Sequence, residues 1–152
     1  MIRDVRDEAM RLMRDEYPAV LAQVASEYGA NAPPPRSVSR SRRGHKSYPL
    51  AVVRPPSAKG DDRYSTVTSA HGDLLMWVVV WVLGSSDETR EETLEIHGEA
   101  ITRLFHGHRG GPAMVFRFAA EEFSPLGKED VETVQAVGVQ LAISTATSFE
   151  RE

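Results

Sequence analysis

The chain has 152 residues, 41% hydrophobic and 26% charged, with a net charge of −4 at pH 7 and no cysteine. That length suits one domain spanning 1–152, able to bury roughly 68–70% of the surface its unfolded chain exposes. The missing cysteines exclude disulfides, thiolate catalysis and cysteine–zinc sites, and the mild acidity excludes a general attraction of the whole molecule to nucleic acid.

The N-terminal residues alternate charge with apolar side chains and lack the apolar stretch of a signal peptide. Ile2, Val5, Ala9, Leu12 and Met13 recur at helical spacing while Arg3, Asp7, Arg11 and Arg14 occupy other faces, which predicts an amphipathic helix over 2–16. Tyr17-Pro18 interrupts it, because proline disfavours helix in the residue before it and suits a first helical turn. A second short helix follows over 18–28, with Val20, Leu21, Val24 and Tyr28 on one side and Gly29 as its stop.

Residues 29–47, GANAPPPRSVSRSRRGHKS, are a different material. Three prolines lead into Arg36, Arg40, Arg42, Arg43 and Lys46, five positive charges in eleven residues with no acid among them. This reads as a basic Pro/Arg-rich loop or a disordered arm. A strand over 48–54 (YPLAVVR) ends at Pro55-Pro56, SAKGDD makes a turn, and residues 64–68 begin a long strand.

That strand contains LLMWVVVWVL, residues 74–83, ten apolar residues without a break. Crossing a bilayer as a helix takes about 20, and the run is bounded by turn residues, so no membrane span is expected. Trp77, Val79, Trp81 and Leu83 point one way and Met76, Val78, Val80 and Val82 the other, so both faces are apolar. The second face is covered either by loops and the 18–28 helix or by a neighbouring subunit. In the latter case Trp77, Val79 and Trp81 are the candidate interface, because aromatic residues dominate interface hot spots.

A helix over 87–106 follows. Ser85 and Glu88 have capping-box spacing, acids crowd its first turns, Gly107 closes it, and Leu94, His97, Ile101, Leu104 and Phe105 form its apolar stripe. Residues 114–123 read as a strand and SPLGKED as a turn. In the last strand Val137, Val139, Leu141 and Ile143 alternate with Gly138, Gln140, Ala142 and Ser144. The order α-(α)-β-β-α-β-β predicts an α+β fold: a largely antiparallel sheet of about four strands with two main helices packed on one face.

No catalytic constellation emerges. His106-Gly-His108 has no acid within the motif to complete a metal site, His97 reads as a hydrogen-bonded core histidine, and His45 and His71 have no ligand spacing to another histidine. There is no nucleophile elbow and no phosphate-binding glycine loop, and the adjacent pairs Glu91-Glu92 and Glu121-Glu122 point in different directions. No cofactor, metal or enzymatic activity is expected. The basic arm 36–46 suits phosphate contacts, docking on an acidic protein surface, or plain solubility.

The N-terminal amphipathic helix, the strand YPLAVVR, the run HGDLLMWVVVWVLGSSDETREE leading into ETLEIHGEAITRLF, and the closing VGVQLAISTATSFE together resemble the tail terminator (tail completion) proteins of long-tailed bacteriophages. The resemblance covers roughly 2–28 and 48–150. It implies a structural virion protein at the head-proximal end of the tail, assembled in the host cytoplasm. It also implies a homo-oligomeric ring, of six subunits, whose partners are the tail tube protein and the head–tail connector or stopper protein. DNA passes through the lumen of such a ring without sequence-specific binding. The alternatives are a head-side neck or stopper protein, and a small nucleic-acid-binding module acting through the arm 36–46.

Overall fold

The computed structural model describes residues 2–41, 48–58, 73–83, 87–110, 114–125 and 134–145. The expected strand start at 64–68, Ser85 of the capping box, His45, His71, Arg42, Arg43 and Lys46 lie outside them, as does most of the SPLGKED turn.

In chain order the elements are α1 (Ile2–Asp15), α2 (Tyr17–Tyr28), β1 (Ser37–Ser39), β2 (Leu50–Val53), β3 (Ser57–Ala58), β4 (Asp73–Leu83), α3 (Asp87–Phe105), β5 (Met114–Pro125) and β6 (Val134–Thr145). This is the expected α+β architecture with two additions. The basic stretch contributes β1, which pairs parallel to β2, and the two-residue β3 pairs with β4. Along the sheet the order is β1-β2-β4-β6-β5, with every pairing other than β1–β2 antiparallel.

α1 forms because Val5, Ala9, Leu12 and Met13 fall on one stripe, and all four are buried. Asp4 in its first turn and Arg14 in its last complement the helix dipole. Pro18 lies in the first turn of α2, where its missing N–H has no intrahelical partner to lose. α2 ends on Gly29 in the left-handed region (φ 68°), with the Gly29 N–H donating to the Ser26 carbonyl and the Ala30 N–H to the Ala25 carbonyl, a Schellman closure that satisfies two terminal carbonyls.

All three helices pack on one face of the sheet. α3 lies against β4, β5 and β6, α1 against β1 and β2, and α2 joins α1 to α3. The core beneath them takes Met76, Val78 and Val80 from β4, in register with Leu141, Val139 and Val137 of β6. Burying each such side chain stabilises by about 1.5–3 kcal/mol. α3 is enclosed by both sheet and α2, so Ile96 and Ala100 are buried beyond the expected stripe of Leu94, His97, Ile101, Leu104 and Phe105. Tyr28, expected on the buried side of α2, instead leans outward from the last turn and donates to Glu99 Oε1 at 3.0 Å. α2 packs on α1 and α3, on the helix side of the sheet.

Candidate interaction surfaces

The second face carries Leu75, Trp77, Val79 and Trp81 from β4, all half-buried, while the alternate residues Met76, Val78 and Val80 are fully enclosed. Register explains how two indoles fit. Opposite Trp81, Val79 and Trp77 stand Ala136, Gly138 and Gln140 of β6. A Cβ on Gly138 would lie 3.1 Å from Cε3 and 3.3 Å from Cζ3 of Trp77, so the ring rests against bare backbone. Leu50 and Val52 of β2 flank the same face beside Trp81 and Val79, and both are buried. Trp77, Val79 and Trp81 thus lie together, half-buried, on one apolar face.

The β1 end of the sheet is cationic. Arg6 donates through Nε and Nη2 to the Val53 carbonyl at 3.1 and 2.9 Å, and through Nη2 to the Arg40 carbonyl at 2.8 Å, tying α1 to both β1 and β2. Partial burial, then repulsion from Arg40 and from Arg54, pushes the Arg6 pKa down against the opposing pull of Asp7. Arg40 reaches Asp7 at 3.1 Å in an exposed pair. The Arg36 side chain is exposed beside Arg14, while its backbone N–H donates to the Pro49 carbonyl. Of the basic arm, Arg36 and Arg40 therefore have defined places on this edge.

At the opposite end lies a groove that the sequence reading missed. It is lined by Tyr28, Glu95, Glu99, Thr102, Phe118, Glu121 and Phe123, with a volume of about 470 Å³. A β-bulge between Phe118 and Ala120 builds it. Strict alternation would set Phe118 and Glu121 on opposite faces. The extra residue instead pairs Phe118, Glu121 and Phe123 with Leu141, Val139 and Val137, on the helix side. Glu121 then lies directly over Gly98 of α3, where a Cβ would meet its carboxylate. Burial against the helix, then Glu95 and Glu99, push the Glu121 pKa up. Arg103 bonds Glu27 at 2.7 and 2.9 Å and also Glu99, leaving carboxylates in excess. The one sequence signal for this groove was the break in alternation within FAAEEF.

The three described histidines serve local structure. His97 is 0% exposed, with Nδ1 2.5 Å from the Tyr17 hydroxyl and Nε2 without a hydrogen-bond partner. Burial lowers its pKa to about 4. His106 Nδ1 accepts from the Phe118 backbone N–H at 3.0 Å, and His108 Nε2 lies 2.6 Å from Glu8 Oε2, so the two imidazoles diverge to different elements. Among the described residues no cluster of three or more His, Asp or Glu is placed to hold a metal ion, and no helix is long and apolar enough to cross a membrane.

An open-faced α+β sheet with a cationic and an acidic edge defines a scaffold that presents surfaces, with no convergent reactive groups among the described residues. No protein-family model matches the chain, and no curated protein matches it in sequence. Its fold is similar to that of a solved chain from the virion of a native gene transfer agent (GTA) particle, with a TM-score of 0.57 and 10% identity over 90% of this chain and 90% of that one. At that identity the likeness is one of fold.

Proposed function

We propose that this chain is a single-domain, non-enzymatic structural protein of a phage-like virion. It forms a ring, of six subunits, at the head-proximal end of the tail. The ring caps the tail tube, ends its polymerisation and offers the attachment surface for the head connector, while DNA passes through the lumen without sequence-specific contacts. The observation that carries the reading is the fold shared with a GTA virion chain across nearly the full length of both. Two features of the molecule support it. Among the described residues no helix lies over the apolar face around Trp77, Val79 and Trp81, and a contiguous apolar surface of this kind suits a subunit contact. The two ends of the sheet differ in charge, which suits the two unlike, complementary patches of a head-to-tail contact.

The test is direct. Light scattering and negative-stain images of the purified protein are expected to show closed rings with a central opening, and the rings should bind the ends of purified tail tubes. A monomer at every concentration, or binding to the portal complex in place of the tube, overturns the reading.

A further inference from the structure

We infer that neighbouring subunits join through opposite edges of the sheet: the acidic aromatic groove beside β5 of one copy receives the arginine-bearing β1 edge of the next. This rests on the ring reading and adds to it the pair of surfaces that meet.

Three large apolar side chains are exposed among the described residues, Tyr28 (40%), Phe118 (41%) and Phe123 (48%), and all three line this one groove. Scattered exposure is ordinary, whereas this concentration marks a contact site. The groove also gathers Glu95, Glu99 and Glu121, whose mutual repulsion a cation would relieve. Carboxylates beside aromatic rings fit arginine in particular. Its planar guanidinium can pair with a carboxylate through two N–H groups while lying flat on a ring.

The complementary surface is on the same molecule. Arg36, Arg40 and Arg54 are exposed at the β1–β2 end, where burial and then the charges of Arg40 and Arg54 lower the Arg6 pKa, with Asp7 the acid paired to Arg40. β1 and β5 are the two ends of the strand order. A contact between unlike ends runs head to tail and can close into a ring. Like-with-like pairing is disfavoured, because groove against groove brings carboxylates together and edge against edge brings guanidiniums together. The bulge at Phe118/Ala120 interrupts the β5 ladder, so the groove takes up side chains and not a full-length added strand. The tryptophan face lies on β4, the middle strand of the order and two strands from either end, so it is a separate apolar surface from these two edges.

Reciprocal charge reversal tests this. One variant carries Glu95→Lys and Glu121→Lys, the other Arg36→Glu and Arg40→Glu, each checked by circular dichroism. Sedimentation velocity should show that each alone needs about tenfold more protein than wild type to assemble, since like charges now face each other across the contact. An equimolar mixture should recover rings at the wild-type concentration, because every groove–edge contact in an alternating ring again joins opposite charges. The mixture also shows that both variants fold. Rings that persist undiminished in both variants overturn this contact and leave the ring reading standing. So does loss of assembly that mixing fails to restore, which would assign the two surfaces to other partners. A wild-type protein that never assembles overturns both.

Discussion

The two faces of β4 are both apolar from Leu74 to Leu83 and have opposite fates. Met76, Val78, Val80 and Val82 are sealed under the helices, while Leu75, Trp77, Val79 and Trp81 stay half-buried. What separates them is the neighbouring strand. On the helix side β6 presents Val137, Val139, Leu141 and Ile143. On the other side it presents Ala136, Gly138, Gln140 and Ala142, residues that contribute little core but leave room for indole rings. A strand that is apolar on both faces therefore acquires an inside and an outside from the pattern of its partner, through register.

The largest expected effects test that asymmetry. Met76→Ala should cost about 2–5 kcal/mol in urea unfolding, the range for truncating a fully buried side chain and leaving a cavity. Trp77→Ala, measured where the protein is monomeric, should cost only about 1–2 kcal/mol because half-burial removes much less apolar area from water. Its main effect should appear as a loss of assembly. Equal destabilisation by both variants, with assembly untouched by the tryptophan change, would make the second face an ordinary core surface and erase the distinction.

The sealed side contains one polar flaw, which makes it sensitive to acid. In the unfolded chain His97 takes up a proton near its ordinary pKa of 6.5, whereas in the fold burial holds it to about 4. Between those values the unfolded state binds more protons, so the stability tied to a neutral His97 is full above about pH 6.5 and drains away as pH falls towards 4. The loss should reach roughly 3 kcal/mol at the acid end. Replacing His97 alone would leave the buried Tyr17 hydroxyl only its long 3.4 Å bond to the residue-97 carbonyl, so the informative variant is Tyr17→Phe with His97→Leu, which removes both side-chain partners. Its denaturation midpoint should vary less between pH 6.5 and 4 than that of wild type. An unchanged pH profile would mean that His97 does not carry this sensitivity.

Much of the fold was legible because its signals are local and periodic. The stripe of α1, the proline entry to α2, Gly29, the alternation of β6 and the apolar run of β4 each state their own conformation. The tryptophan face was legible for the same reason: a period of two assigns Trp77, Val79 and Trp81 to one side, whatever covers them. The groove was not, because it depends on a single extra residue in β5 that turns Glu121 and Phe123 to the side of Phe118, and the broken alternation of FAAEEF does not by itself say where the extra residue falls. β1 was missed because three residues of Ser-Val-Ser between arginines carry no strand pattern of their own, and it is the backbone of β2 that recruits them. Tyr28 was assigned inward by helical spacing, but at the last turn of α2 its ring extends past the helix packing and reaches Glu99.

Two glycines sharpen the comparison at its finest scale. Gly138→Val places a branched side chain under the Trp77 ring, where even a Cβ has only 3.1 Å. A rigid indole seated on a strand cannot bend aside locally, so the variant should cost about 1–3 kcal/mol as an overpacked site and alter Trp77 fluorescence in the monomer. Gly98→Ala looks worse at first sight, since its Cβ would run into Glu121 Oε2. The main obstacle there is the tip of a flexible, exposed side chain that can swing into the groove, with Val137 Cγ2 at 3.3 Å having to give slightly, and alanine recovers about 0.8–1 kcal/mol of helix propensity over glycine. Net stability should therefore change by less than about 0.5 kcal/mol. Displacing Glu121 should still raise the concentration needed for assembly, in step with the proposed groove contact. If Gly98→Ala instead unfolds the protein while Gly138→Val is silent, the rigid contact lies between α3 and β5 and the tryptophan face is the more yielding of the two.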